Sequence, residues 1–313
     1  MINKPSILFM GTPDFALPAL EILHNNNYEI SAVVTQPDRP AGRGQKEIAP
    51  PVKLLAQKLG LPVLQPPKVK DQGFLETLYS LNPAMIVVAA FGQILPKIII
   101  DFPKMGCLNI HPSLLPKYRG AAPLNWSIIR GETKTGVTIM MMDEGMDSGD
   151  ILIQEETPLE STETYGELHD RLANLGAKLL IKAIEQVVAG TAQRQKQDES
   201  RITFAPRLTR ETGKINWQNT ICHIVNLIRG LSPTPAAYSS LDGQALKIFT
   251  AEGQPGIVDM PPGTIAPSCP AGLPVAAADG YVILKDVQLA GKKRMHIHDF
   301  LHGYRIKDGS KLG

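Results

Sequence analysis

Two polar residues on one side of a predicted strand are the part of this sequence best suited to chemistry. Asn109 and His111 lie two positions apart in a segment that begins at Cys107. Alternate residues of a strand point to the same face, so an amide donor and an imidazole would project together. Pro112 then ends the hydrogen-bonded ladder and restricts His111 to extended backbone. We expect this pair at a strand end, where open α/β sheets form their ligand crevices.

An acidic segment downstream offers a third group for the same site. Its sequence is DEGMDSGD, Asp143–Asp150, and Asp147 is the carboxylate that we select from it. An Asn/His/Asp set suits transfer of a one-carbon acyl unit to an amine, because donors stabilise the tetrahedral oxyanion and histidine exchanges protons near neutral pH. The amine is itself the nucleophile, so a serine or cysteine nucleophile is not needed. The alternative is that His111 caps a strand end and Asn109 bonds backbone.

Longer stretches around these residues resemble a known family. NIHPSLLPKYRGAAP, Asn109–Pro123, and DEGMDSGDIL, Asp143–Leu152, closely resemble the formyltetrahydrofolate-dependent formyltransferases. The catalytic asparagine, histidine and aspartate of that family fall on the three residues named above. The resemblance also implies that SLLP, Ser113–Pro116, is a folate-binding turn and that the cosubstrate is 10-formyltetrahydrofolate.

The folate is expected in a crevice between two strand ends. Ala84–Ala90 is fully apolar, as in a central parallel strand, and Phe91–Pro96 leaves its carboxyl end. This exit should lie beside Asn109 and His111. Backbone donors and acceptors with apolar walls would then hold the pteridine. The predicted folate-binding residues are Phe91, Ile94, Leu95, Ser113, Leu114, Leu115 and Pro116.

Two further stretches resemble the branch of the family that acts on initiator methionyl-tRNA. They are MGTPDFALPAL, Met10–Leu20, and TQPDRPAGRGQK, Thr35–Lys46. The resemblance implies that the second is a basic loop whose Arg43 and Lys46 contact the acceptor end of the tRNA, and that Phe15 lies against the methionyl end. Basic loops do contact nucleic-acid backbones. The alternatives are an ordinary solvated loop and simple helix packing of Phe15.

Composition narrows the class of protein. The chain has 313 residues, 43% of them hydrophobic and 20% charged, with a net charge of +2. Two domains are therefore expected, and the charge alone does not indicate a nucleic-acid partner. The three scattered cysteines predict neither a disulfide framework nor a metal cluster, and His296 and His298 lack further ligands at metal-binding spacing. The apolar run Ile7–Met10 is too short for a signal peptide and no segment suits a membrane span, so we expect a cytoplasmic protein.

Strand and helix patterns in the first half favour a doubly wound, Rossmann-like α/β domain with a parallel sheet. The order is a strand at Ser6–Met10, a helix at Phe15–Leu23 and a strand at Tyr28–Thr35. The turn after the first strand lacks GxGxxG, which argues against a dinucleotide site. A long amphipathic helix, Tyr165–Val188, follows a capping-box sequence and should cover the sheet.

The second half of the sequence has a different pattern of predicted elements. Short predicted strands such as Ala245–Ala251 and Tyr281–Leu289 lie among Gly/Pro turns, with one helix near Ile221–Ile228, and this predicts a small β-barrel. We expect a catalytic domain at 1–189, a linker at 190–208 and a C-terminal domain at 209–313. The family resemblance implies that the last is an OB-like barrel that helps to hold tRNA.

Three other functions remain open at this point. A formyltransferase acting on an amino-sugar nucleotide would share the three catalytic residues, but not the basic loop and barrel. A non-enzymatic RNA-binding protein would not need the polar set between Asn109 and Asp147. A nicotinamide-dependent oxidoreductase would be expected to carry the missing glycine fingerprint.

Overall fold

The computed structural model describes residues 4–41, 46–306 and 309–313. None of the helices in these ranges is long and apolar enough to cross a membrane. The chain forms two compact units, each built from several stretches of sequence. The first contains Met1–Gly120, Thr135–Thr157 and His169–Phe204, and the second contains Ala121–Lys134, Pro158–Leu168 and Ala205–Gly313.

Sixteen strands and eight α-helices are found in the described residues. The strands are β1 (Ser6–Gly11), β2 (Glu29–Val34), β3 (Arg39–Ala41), β4 (Lys46–Ile48), β5 (Val63–Leu64), β6 (Met85–Ala89), β7 (Cys107–His111), β8 (Arg119–Gly120), β9 (Lys134–Met141), β10 (Ile151–Pro158), β11 (Phe204–Ala205), β12 (Ala237–Leu241), β13 (Gln244–Pro255), β14 (Leu273–Ala276), β15 (Gly280–Leu289) and β16 (Met295–His296). The helices are α1 (Leu17–Asn25), α2 (Pro51–Lys58), α3 (Gln72–Leu81), α4 (Lys97–Ile100), α5 (Pro123–Ile129), α6 (Tyr165–Val188), α7 (Ile221–Leu231) and α8 (Ile297–Gly303).

A seven-stranded sheet organises the first unit, in the order β10-β9-β7-β6-β1-β2-β5. From β7 to β5 all neighbours are parallel. The chain goes from β1 to β2 and β5 on one side, then to β6 and β7 on the other. This is the doubly wound order, and its switch point lies between β1 and β6. The predicted Rossmann-like architecture is confirmed.

The sheet is mixed rather than parallel throughout, which corrects the sequence expectation. Strand β9 is antiparallel to β7, with Asn109 opposite Met140 and His111 opposite Thr138. Along β10 the outer half alternates between half-buried and exposed residues. This alternation is typical of a strand with one solvated face, which antiparallel edges tolerate and buried parallel strands do not.

Helix α6 has the predicted bounds and the predicted cap. The Thr164 amide donates to Glu167 Oε2 at 2.8 Å and the Glu167 amide donates to Thr164 Oγ1 at 3.4 Å, so the capping box is formed. Within the helix, a Cβ added to Gly176 would lie 2.7 Å from Ile110 Cγ2. The helix therefore packs closely on β7, the strand that carries Asn109 and His111.

The second unit is built on antiparallel strands in the order β12-β13-β15-β14, with β16 pairing with β15. Its core combines these strands with residues of α7 and α8. Backbone hydrogen bonds also link the two ends of this strand order. Gly313 donates to Ser240 of β12 at 3.1 Å, and Leu312 donates to Gly263 at 2.9 Å. Gly263 in turn donates to Ala276 of β14 at 2.8 Å. The C-terminal residues and Gly263 therefore connect β12 to β14, the first and last strands of this order.

Candidate active site

Strand β7 presents Asn109 and His111 on one face at its carboxyl end. Asn109 lies opposite Val88 of the parallel neighbour β6, as the sequence predicted for these two strand ends. The Asn109 side chain is half-buried. Across residues 4–41, 46–306 and 309–313 no hydrogen bond holds its amide, which is thus available to a ligand.

His111 is almost fully buried, and the contacts of its ring define its chemistry. Nε2 lies 3.0 Å from the carbonyl oxygen of Tyr118. A carbonyl only accepts hydrogen bonds, so Nε2 carries a hydrogen and donates it. The other nitrogen, Nδ1, faces Asp147 Oδ1 at 3.6 Å, beyond hydrogen-bond length. Any proton that His111 exchanges therefore moves at Nδ1, on the side of Asp147.

Asp147 reaches this position from a loop between β9 and β10. Its backbone φ is +50°, an uncommon value for a residue other than glycine. Its Oδ2 accepts a hydrogen bond from the Gly120 amide at 2.8 Å, which leaves Oδ1 towards His111. The structure therefore brings together the histidine and the aspartate that the sequence selected, 36 positions apart in the chain.

A glycine lets this loop lie against β9. A Cβ added to Gly149 would lie only 1.8 Å from the carbonyl oxygen of Met141. That contact is with backbone and has no room to relax. At Gly145, in the same loop, the added atom would meet the Ser148 hydroxyl, which is the movable end of a side chain. Close approach is therefore required at Gly149 in particular.

Gln197 and Arg119, which the sequence interpretation did not identify, support the Asp147 loop by hydrogen bonds. Gln197 donates through Nε2 to the carbonyl oxygens of Asp147 and Gly149, each at 2.8 Å. Its Oε1 accepts from Arg119 Nε at 3.0 Å and Nη2 at 2.7 Å. Gln197 lies in a polar segment without periodicity. Neither the composition nor the spacing of that segment signals its contact with the Asp147 loop.

The SLLP segment forms a turn fixed by two neighbouring strands. Thr138 Oγ1 donates to the Ser113 carbonyl at 2.6 Å and accepts from the Leu115 amide at 3.2 Å. Gln154 Nε2 donates to the Leu115 carbonyl at 2.8 Å. The Leu115–Pro116 peptide bond is cis. Leu115 is buried, whereas Leu114 and Pro116 are partly exposed.

The segment after β6 divides into core and surface. Phe91 and Leu95 are buried within the hydrophobic core of the first unit, while Ile94 is 92% exposed. The carbonyl oxygen of Phe91 accepts from Thr12 Oγ1 at 2.7 Å, which ties this turn to the end of β1. Phe91 and Leu95 thus support the strand end, and Ile94 is the side chain of the three that faces solvent.

Phe15 follows the end of β1, and the basic segment, Thr35–Lys46, follows the end of β2. Phe15 is buried in a short 3-10 turn, Asp14–Ala16, that precedes α1. Its ring meets His169 edge-on, with centroids 5.5 Å apart. Arg43 lies outside the described residues. The backbone of Lys46 begins β4, which pairs with β3.

The base of the basic segment is anchored by Asp38. Its carboxylate accepts hydrogen bonds from Lys53 Nζ at 2.6 Å and from Gln65 Nε2 at 2.8 Å. These bonds, from Gln65 first and then Lys53, hold the pKa of Asp38 below its usual value. The anchor joins the segment before β3 to α2 and to the residue after β5.

Cys107 is a packing residue. Its thiol is buried at the start of β7, and desolvation raises its pKa far above the ordinary thiol value. Such a thiol is not nucleophilic. In the portion of the chain that the structure describes, no three His, Cys, Asp or Glu side chains are grouped as metal ligands.

Family models match both parts of the chain. The family described as "Formyl transferase" matches residues 4–184, and "Formyl transferase, C-terminal domain" matches residues 207–305. The chain is 57% identical over 310 residues to the methionyl-tRNA formyltransferase of Syntrophus aciditrophicus (strain SB), covering 99% of both proteins.

Two solved structures share the fold at low sequence identity. One is an N-formyltransferase from Helicobacter canadensis in complex with folinic acid and dTDP-3-aminofucose, with a TM-score of 0.67 and 21% identity over 92% of this chain and 99% of that one. The other is HypX from Aquifex aeolicus in complex with tetrahydrofolic acid, with a TM-score of 0.68 and 16% identity over 99% of this chain and 51% of that one. The chain belongs to the formyl transferase family.

Proposed function

We propose that this enzyme transfers the formyl group of 10-formyltetrahydrofolate to the α-amine of initiator methionyl-tRNA. The similarity to a methionyl-tRNA formyltransferase along the whole chain supports the substrate. The observation that carries the chemistry is the site at the end of β7. There the Asn109 amide, which makes no hydrogen bond to the described residues, shares a face with the His111–Asp147 pair. The folate supplies a formyl carbonyl, and the residues present fit such an electrophile.

Each of the three residues then has a distinct role. Asn109 Nδ2 donates to the formyl oxygen as negative charge develops on it during attack by the amine. The amine forms a bond to the formyl carbon, loses one proton and displaces the folate nitrogen, which gains one. Nδ1 of His111 and Oδ1 of Asp147 hold the proton in transit, because Nε2 is committed to Tyr118.

For the folate we propose the crevice between the ends of β6 and β7. Leu114 and Pro116 on one side and Ile94 on the other are partly or fully exposed there. Thr138 and Gln154 hold the SLLP backbone, so the turn is preorganised before the cosubstrate arrives. The buried residues Phe91, Leu95, Ser113 and Leu115 would act by supporting this crevice.

For the tRNA we propose the basic segment with Arg43 and Lys46, together with Phe15 at the methionyl end. We also propose that residues 209–313 form an OB-like barrel that helps to hold tRNA. The backbone hydrogen bonds that link β12 to β14 through Gly313 and Gly263 support a closed barrel. A catalytic domain at 1–189 and a connection at 190–208, whose first part packs with the first unit, complete this division. Three free cysteines agree with a cytoplasmic location, which we also propose.

One assay tests the function directly. Purified enzyme is given 10-formyltetrahydrofolate with a labelled formyl group, and transfer is measured to charged initiator methionyl-tRNA, free methionine and amino-sugar nucleotides. We expect transfer to methionyl-tRNA alone at a substantial rate. Preferential transfer to an amino-sugar nucleotide would contradict the proposal and favour a sugar formyltransferase.

The basic segment needs its own test. If Arg43 contacts tRNA phosphate, Arg43→Ala will weaken catalysis on methionyl-tRNA, leave folate binding intact and make the salt dependence of tRNA binding shallower. The measurement is kcat/KM across a salt series for both proteins. Equal values at every salt concentration would remove this segment from the tRNA site.

A further inference from the structure

A connecting segment with no predicted structure forms part of the support for the active site. After α6 the chain runs alongside the start of β10, where Ile151 and Gln195 exchange backbone hydrogen bonds at 2.8 and 2.9 Å. This is an antiparallel bridge. In antiparallel pairing, a step of two residues along one strand matches two residues back along the other. Gln197 is thereby placed opposite Gly149, two residues from Asp147.

The Gln197 side chain uses its full hydrogen-bonding capacity at this position. Its NH₂ group donates to the carbonyl oxygens of Asp147 and Gly149, and its oxygen accepts twice from the guanidinium of Arg119. Carbonyl oxygens only accept and a guanidinium only donates, so the amide can satisfy these partners in one orientation alone. Arg119 is buried, and a buried guanidinium left without an acceptor would be costly.

These bonds close a ring around Asp147. The Asp147 carboxylate accepts from the Gly120 amide at 2.8 Å, and Gly120 directly follows Arg119 in β8. Arg119 is bound to Gln197, which is bound to the Asp147 carbonyl. Both the side chain and the left-handed backbone of Asp147 are therefore held against the same two-residue strand.

We propose that Gln197 is a positioning residue that keeps Asp147 Oδ1 directed at His111 Nδ1. It acts through Asp147 and does not touch the substrate. The inference rests on the proposed catalytic role of Asp147. An aspartate on a loop would otherwise be free to turn towards solvent, and loss of alignment by about 1 Å can lower a rate about 10²-fold.

The variant Gln197→Glu separates the two halves of the ring. Its carboxylate still accepts from Arg119, so the fold is retained, but it cannot donate to the carbonyls of Asp147 and Gly149. We expect kcat for formyl transfer to fall by roughly 10–10², while KM for folate and for methionyl-tRNA stays near the wild-type value. The control is Gln195→Glu, the same chemical change on an exposed side chain two residues away. It should retain wild-type kcat.

A double-mutant cycle distinguishes positioning from a separate contribution. If Gln197 acts through Asp147, then Gln197→Glu will lower kcat little further in an Asp147→Asn background, because residues that act as a unit are non-additive. Multiplicative losses, or wild-type kcat for Gln197→Glu, would overturn the inference. Wild-type kcat for Asp147→Asn alone would instead refute the proposed role of Asp147.

Gln197→Met covers the case in which the glutamate variant does not fold. It keeps the side-chain length, removes all four hydrogen bonds and adds no charge. The expected result is the same loss in kcat with a lower Tm, since Arg119 loses its acceptor. If neither variant gives folded protein, Gln197 is structural and the positioning role is rejected.

Discussion

The two regions that supply the catalytic residues are built in different ways. Asn109 and His111 lie on β7, which is hydrogen-bonded on both sides and covered by α6. Asp147 lies on a loop and depends on single hydrogen bonds from Gly120 and Gln197. The hydrogen bonds of the sheet fix the positions of Asn109 and His111, whereas the position of Asp147 depends on hydrogen bonds made to that residue alone.

This difference decides where distant substitutions should matter. A substitution far from β7 must disturb the sheet before it moves Asn109, and that would be visible as lost stability. The Asp147 loop can be displaced while the core of the first unit stays intact. Activity and stability should therefore separate at the loop.

The largest loss is expected at Asp147. The proposed general acid–base role gives a fall in kcat of roughly 10²–10⁴ for Asp147→Asn, with Tm nearly unchanged, because the neutral amide has similar shape but cannot accept a proton at neutral pH. Asp143→Asn is the matched control, since Asp143 lies in the same loop and its Oδ1 accepts hydrogen bonds from Gly145 and Ser148 of that loop. A collapsed Tm with full activity of the remaining folded enzyme would make Asp147 structural.

The next largest loss of kcat is expected for Asn109→Ala, which tests the part of the site carried by β7. Removing one oxyanion donor should lower kcat by roughly 10²–10³, while folate binding and Tm are retained, because no hydrogen bond of the described residues depends on this amide. Steady-state kinetics and thermal melting provide the measurement. Asn174→Ala, on the exposed side of α6, serves as the control for loss of an amide. A stable variant with near-normal kcat would remove Asn109 from the oxyanion site.

Gly149→Ala tests how far the loop depends on close approach. The added methyl meets the Met141 carbonyl at 1.8 Å, so the loop must move away from β9. We expect kcat to fall by roughly tenfold or more, with a smaller change in Tm than an equal clash in the sheet would cause. Gly145→Ala is the control, because its neighbour is the movable Ser148 hydroxyl. Equal effects of the two substitutions would show that approach to β9 is unimportant.

The strand side of the site was accessible from the sequence because it depends on local rules. Alternation and Pro112 placed Asn109 and His111 at the end of β7, and the capping box located the start of α6. The parallel sheet was wrong because β9 runs antiparallel to β7, and β10 beyond it alternates between half-buried and exposed residues, as an edge strand does. Gln197 escaped detection because its position depends on pairing with a segment about 50 residues away, and no local pattern encodes that register.

The smallest effect is expected at Asp38, which anchors the segment before β3 far from the Asp147 loop in sequence. Hydrogen bonds from Gln65 and Lys53 lower its pKa in the folded state. The carboxylate therefore stabilises the folded protein above the pKa of the unfolded chain, about 4, and this contribution is lost as the pH falls through the lower, folded pKa. Asp38→Asn should flatten the decline of stability in that acid range and leave stability slightly lower near neutral pH.

Gln65→Leu removes the hydrogen bond that contributes most to the lowered pKa of Asp38. The Asp38 carboxyl should then titrate closer to its ordinary value in an NMR pH titration. If Asp38 titrates at its ordinary value in the wild-type protein, the hydrogen bonds do not stabilise its charged form.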